Sequence, residues 1–179
     1  MSITNNIIDN ITIKVSEDPN LEVTYEDTYK ALVTMIKWTR KFKNISETIS
    51  PSNYTVSPLM WAKESCTVKF SMSRQSGHTT LIKRMLGSVG PKTPKSELFQ
   101  NPIVIFPNYN IARNCDFSPE WSWVDLANNL NGHKALGKNL DGVIIDCTST
   151  LSTKEIDRIY KTFQHHSVAN PNFVFVFME

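Results

Sequence analysis

Cys66-Thr67-Val68-Lys69-Phe70-Ser71-Met72-Ser73-Arg74-Gln75-Ser76-Gly77-His78-Thr79-Thr80-Leu81-Ile82-Lys83-Arg84-Met85-Leu86 decides the fold. It opens with a short alternating run of β-formers and passes through a turn of small residues around Gly77. It ends in apolar residues at helical spacing: Leu81, Ile82, Met85 and Leu86. Strand, tight loop and helix in that order make a phosphate-binding geometry, because the N–H groups and the dipole at a helix N-terminus both favour an anion. The same letters also describe a plain capped helix after a strand.

The usual phosphate loop, G-x-x-x-x-G-K-[ST], uses lysine to reach the β/γ-phosphates and the following hydroxyl to hold Mg²⁺. Gly77 and Thr79 sit at the matching positions. His78 replaces the lysine and Met72 the first glycine. Ser73-Arg74-Gln75-Ser76-Gly77-His78-Thr79-Thr80 resembles the S-R-Q-x-G-K-[ST]-T loop of large terminase subunits, the ATPases that pump DNA into tailed-phage capsids. The resemblance covers the ATPase half of such a protein at most, and implies that Ser73 to Thr80 cradle ATP. It further implies that Arg74 reaches the γ-phosphate and that Thr79 holds Mg²⁺.

A second stretch belongs with the first. Leu140-Asp141-Gly142-Val143-Ile144-Ile145-Asp146-Cys147 reads as an apolar strand ending in Asp. It is similar to the Walker B strand, whose carboxylate binds Mg²⁺ through water. Ligands of open α/β sheets collect at the carboxyl ends of the strands, which brings Asp146 to the same edge as the loop. The terminase family carries Glu after this Asp, as the base that orients the attacking water. Cys147 stands there instead, and a neutral thiol is a poor base.

The flanking segments supply the remaining layers. Residues 1–23 are polar and read as a hairpin or a frayed arm. Thr24-x-x-Asp27 is a capping box for a helix reaching about Phe42. Its Lys37, Arg40, Lys41 and Lys43 form a basic face beside Trp38, which is a solvated face or a DNA contact shared with Lys134 and Lys138. Asn44 to Pro58 reads as loop and Leu59 to Lys63 as a short helix. By the family resemblance, the segment before the phosphate loop holds the adenine ring, so Tyr54 and Trp61 are stacking candidates, or else aromatics covering the sheet. Gly87 to Pro94 is a linker, and Pro102 to Pro107 contains a buried strand. Ser118-Pro119-Glu120 starts a helix that runs to about Asn131. Ser152-x-x-Glu155 caps another with Ile156, Ile159, Tyr160 and Phe163 on one face. Residues Asn172 to Met178 make a final strand, apolar on both faces and therefore central. In the terminase and helicase order it lies between the strands carrying the two motifs, which brings Glu179 to the site.

Alternating strands and helices over 179 residues predict one α/β domain with a mostly parallel sheet sandwiched by helices, of the P-loop NTPase type. Residues 1–58 form its N-terminal arm, helix and loop. Twenty per cent charged residues and a net charge of +2 are an ordinary balance that neither requires nor excludes nucleic acid. Three cysteines without CxxC spacing fit buried thiols in a reducing compartment. His165 and His166 read as a solvated pair. No apolar run is long enough to span a membrane and there is no signal peptide, so the expected location is cytoplasmic, in the host cell if the protein is phage-encoded. Three functions follow: ATP binding with weak or absent turnover, an inactive fold used for protein or DNA interaction, and an accessory of a phage DNA-packaging assembly. The catalytic candidates are Arg74 and Asp146, and the metal candidates Thr79 and Asp146.

Overall fold

The computed structural model describes residues 24–49, 57–71, 77–87, 98–114, 122–125 and 139–179. Five helices and five strands follow in the order α1 (Tyr25–Ile49), α2 (Pro58–Ser65), β1 (Thr67–Phe70), α3 (His78–Leu86), β2 (Pro102–Phe106), α4 (Tyr109–Asn114), β3 (Ser122–Asp125), β4 (Gly142–Ile145), α5 (Thr153–Ala169) and β5 (Val174–Met178). The strands form one sheet, ordered β1-β5-β4-β2-β3, and every pairing is parallel.

Local chemistry starts the helices. The Thr24 hydroxyl accepts from Asp27 N at 3.2 Å while the Asp27 carboxylate accepts from Thr24 N at 3.3 Å, the reciprocal box expected at α1. Ser152 and Glu155 make the same box at α5. The Ser57 hydroxyl accepts from Met60 N, with Pro58 in the first turn of α2.

The strands alternate their side chains between two cores, one on each face. On one face Val68, Val104, Ile144, Val174 and Val176 pack with Leu32 and Ile36 of α1, Leu81 and Met85 of α3, and Ala112 of α4. On the other, Ile103, Ile105, Val143, Ile145, Phe175 and Phe177 pack with Ala62 of α2 and Ile159, Tyr160 and Phe163 of α5. All five residues of β5 are buried, as its central place between β1 and β4 requires. The β1–α3–β2 and β4–α5–β5 crossovers run in opposite directions across the sheet with their helices on opposite faces, so they share one hand. At Gly142 a Cβ would drive into the Phe99 ring, so only glycine lets Phe99 close the end of the core.

Three expectations are corrected. Helix α1 continues past Phe42 to Ile49, so Asn44 to Ile49 is not loop; Lys43 Nζ donates to Asn170 O at 2.5 Å and fixes that turn against the domain. The helix expected from Ser118 is instead strand β3 over Ser122–Asp125, because pairing with β2 (Val104 opposite Trp123) overrides the local cap signal. A helix not expected, α4, begins where the Asn108 side chain accepts from Ile111 N at 3.1 Å. The expected hairpin or arm at 1–23 and the linker beyond Gly87 to Pro94 lie outside the described residues. Among the described residues no helix is long and apolar enough to cross a membrane.

Candidate functional site at the carboxyl edge of the sheet

Because every strand is parallel, the residues following β1, β4 and β5 share one edge. Gly77 and the start of α3, Asp146, and Glu179 all lie there. Glu179 N donates to Phe70 O at 2.9 Å, which knits the end of β5 to the end of β1. Glu179 itself is exposed.

Gly77 precedes α3 in the left-handed region, at φ +83°, and its carbonyl accepts from Leu81 N at 2.9 Å. A Cβ there would meet only ordinary contacts, the nearest at 3.8 Å on Thr80, so the backbone angle and not space selects glycine. Gly77, the N-cap of α3, has no side chain to cap it. His78, Thr79 and Thr80 form its first turn, where helical N–H groups point outward without intrahelical acceptors. Ser73, Arg74, Gln75 and Ser76 lie outside the described residues.

His78 is half-buried, and its Nε2 is fully buried with no hydrogen-bond partner among the described residues. Asp146 is 1% exposed. Its Oδ1 accepts from Cys147 N at 2.8 Å and its N–H donates to Ile105 O at 3.0 Å, which locks the residue between β4 and β2. Burial pushes the Asp146 carboxyl above its ordinary value, against the bonds from the Cys147 N–H and thiol and the pull of the His78 imidazole. With β5 lying between β1 and β4, the two motifs, 68 positions apart in the chain (146 − 78), share the carboxyl edge of the sheet. Cys147 sits at φ +53°, the one non-glycine residue with positive φ among the described residues. A side chain held in that region costs about 1–3 kcal/mol, and such strain collects where a neighbouring group must be aimed. Here it turns the chain from β4 into the 3-10 turn Thr148–Thr150 and aims the Cys147 N–H at Asp146.

The Thr79 hydroxyl and the Asp146 carboxylate are hard oxygen donors of the kind Mg²⁺ takes beside phosphate and water. They fit that ion in chemical type, although burial makes Asp146 a reluctant anion. Among the described residues no group of three or more His, Cys, Asp or Glu side chains could hold a metal on its own.

One neighbour escaped the sequence reading. Tyr25, 38% exposed at the start of α1, comes within 3.9 Å of the position a Gly77 Cβ would take. Arg84 lies 3.9 Å over the Tyr29 ring and 5.7 Å over that of Tyr25, and pairs with Glu26 at 2.5 Å. Only the packing of α1 on α3 brings these together, so no local signal marks them.

Other candidates fall elsewhere. Trp61 packs with the α5-side core, on the face opposite α3, so it serves the core and not a base beside α3; Tyr54 is outside the described residues. Arg40 and Lys43 are not on a solvated basic face. Arg40 donates to the carbonyls of Asn172 at 2.7 Å, Leu98 at 2.6 Å and Asp141 at 3.2 Å, and Lys43 is fully buried. Lys134 and Lys138 are not described. His165 is exposed, but His166 stacks on Phe173 with ring centroids 6.0 Å apart, so the two histidines are not a solvated pair. Cys66 is buried and Cys147 partly so, and neither is in a disulfide among the described residues. Compared with protein-family models, curated proteins and solved structures, the chain matches none.

Proposed function

We propose that this chain binds a nucleoside triphosphate, ATP with Mg²⁺, in the manner of a P-loop ATPase domain of terminase type, with weak or absent turnover. The observation that supports this reading is the shared carboxyl edge of the sheet, where the first turn of α3 follows β1 and buried Asp146 follows β4, with β5 between them. Two segments chosen from their letters alone converge on one sheet edge, and β5 lies between their strands as in the terminase and helicase order. The N-terminus of α3 and Arg74 hold the phosphates. Thr79 and Asp146 are the residues that would hold Mg²⁺, which when bound neutralises phosphate charge. Cys147 cannot accept a proton as the missing glutamate would, so hydrolysis is slow. Location in a host cytoplasm and a place in phage DNA packaging follow from the resemblance alone. A second reading, an inactive fold serving as an interaction module, is favoured by the near-complete burial of Asp146.

Calorimetric titration with ATP–Mg²⁺ separates the two. His78→Lys restores a phosphate-directed cation and should tighten binding roughly ten- to a hundredfold, since a charge-assisted hydrogen bond contributes about 1.5–3 kcal/mol. Arg74→Ala should weaken it. If wild type and both variants fail to bind any nucleoside triphosphate at millimolar concentration, the nucleotide reading fails and the interaction module stands.

A further inference from the structure

The outward face of α1 carries two parallel rows of side chains that the carboxyl-edge site does not use. Trp38, Phe42 and Ile45 follow one another at i, i+4 and i+7, and are 55%, 39% and 44% exposed. Lys37 and Lys41 form the adjacent row, also exposed and making no ion pair among the described residues. The Trp38 and Phe42 rings stand with centroids 6.2 Å apart and planes tilted by 40°. From Thr28 to Ser46 the helix has no acidic residue, whereas Arg40 and Lys43 point into the domain. The inward row of α1 needs neither ring: Leu32 and Ile36, fully buried, already fill the groove over the sheet.

We infer that this face of α1 is a platform for single-stranded nucleic acid, in which Trp38 and Phe42 stack on bases while Lys37 and Lys41 meet the flanking phosphates. The charge is complementary to a polyanion, and exposed aromatic faces beside lysines suit bases whose own faces are open, as they are in a single strand and not in a duplex. A protein partner could leave both lysines solvated at its rim, where they would add little, whereas phosphates pair with them directly. The inference does not depend on nucleotide binding at the other site.

The test is fluorescence anisotropy of a labelled oligothymidylate and of a duplex of equal length, with wild type, Trp38→Ala, Phe42→Ala and Lys37→Gln/Lys41→Gln. All four proteins are first checked for unchanged helical content and melting temperature. Wild type should prefer the single strand, and either ring truncation should lower its affinity about five- to a hundredfold. Two phosphate contacts give a shallow salt slope, about a sevenfold loss from 50 to 200 mM salt, and the double glutamine variant should remove it. Equal affinity for duplex with no effect of Trp38→Ala would overturn the stacking platform. So would absence of single-strand binding at low salt. Self-association in sedimentation, abolished by Trp38→Ala while no oligonucleotide binds, would assign the face to a second copy of the chain instead.

Discussion

The two edges of this sheet are built on opposite rules. At the amino edge no buried side-chain nitrogen or oxygen among the described residues lacks a hydrogen-bond partner. Arg40 reaches three carbonyls and lies 4.8 Å over the Phe99 ring. The Asp141 carboxylate accepts from Gln100 N at 2.5 Å and Asn101 N at 3.0 Å, and the Asn170 side chain donates to Leu140 O at 2.8 Å. This network staples α1 to the starts of β2, β4 and β5. At the carboxyl edge the chain tolerates a buried imidazole nitrogen without a partner among the described residues, a carboxyl group whose pKa burial raises, and a cysteine in the left-handed region. Each is unfavourable alone. The carboxyl edge gathers groups whose cost the rest of the fold must offset, and the hydrogen-bonded amino edge contributes that stability.

That contrast breaks most readily at Arg40. Arg40→Ala leaves three carbonyls to find other donors and should destabilise the domain by about 3 kcal/mol or more, because hydrogen bonds to a charged donor are each worth about 1.5–3 kcal/mol. Urea denaturation measures it; a loss under 1 kcal/mol would show that water replaces the guanidinium and that the amino edge is not the staple described. At the other edge Gly77→Ala should cost less, about 1–2 kcal/mol, since only the left-handed backbone angle and no collision opposes a methyl group. The same denaturation series ranks the two.

Asp146→Asn sharpens the comparison because its sign is reversed. A carboxyl whose folded pKa is raised binds its proton more tightly in the native state, so the wild type loses stability as pH rises from the unfolded value near 4 through the raised folded value. Asparagine cannot ionise, and its oxygen still accepts from Cys147 N. The variant should therefore melt higher than wild type at pH 7 and nearly level with it below pH 4, while losing any Mg²⁺-dependent nucleotide binding. A variant that melts lower than wild type at pH 7 would mean that the Asp146 charge stabilises the fold, and the carboxyl edge would not be the strained one.

How far the sequence could be read varies along the chain for physical reasons. The boxes at Thr24 and Ser152 and the apolar strands were legible because each signal lies within four residues of what it controls, whereas Pro58, read as the end of a loop, is the first residue of α2. The convergence of the Gly77 loop with Asp146 was legible as well, since parallel strands with crossover helices oblige their carboxyl ends to share an edge. The inward turn of Arg40 was not: its three acceptors lie 58, 101 and 132 positions away, and in one helix a basic residue near lysines reads as a solvated one. Nor was β3, where the Ser118-Pro119-Glu120 pattern favours a helix and the open side of β2 offers a ladder instead.

Periodicity, caps and turn residues by themselves determined that this is an α/β domain with a parallel sheet and that Gly77 and Asp146 share its carboxyl edge. Tertiary structure alone decided which basic residues of α1 became staples and which remained on its surface. It also decided that Asp146 is buried at the end of β4, and that Tyr25 stands beside Gly77. Such outcomes depend on what a side chain meets after the layers close, and burial, desolvation and hydrogen-bond supply at those distances are not written in any local stretch of the chain.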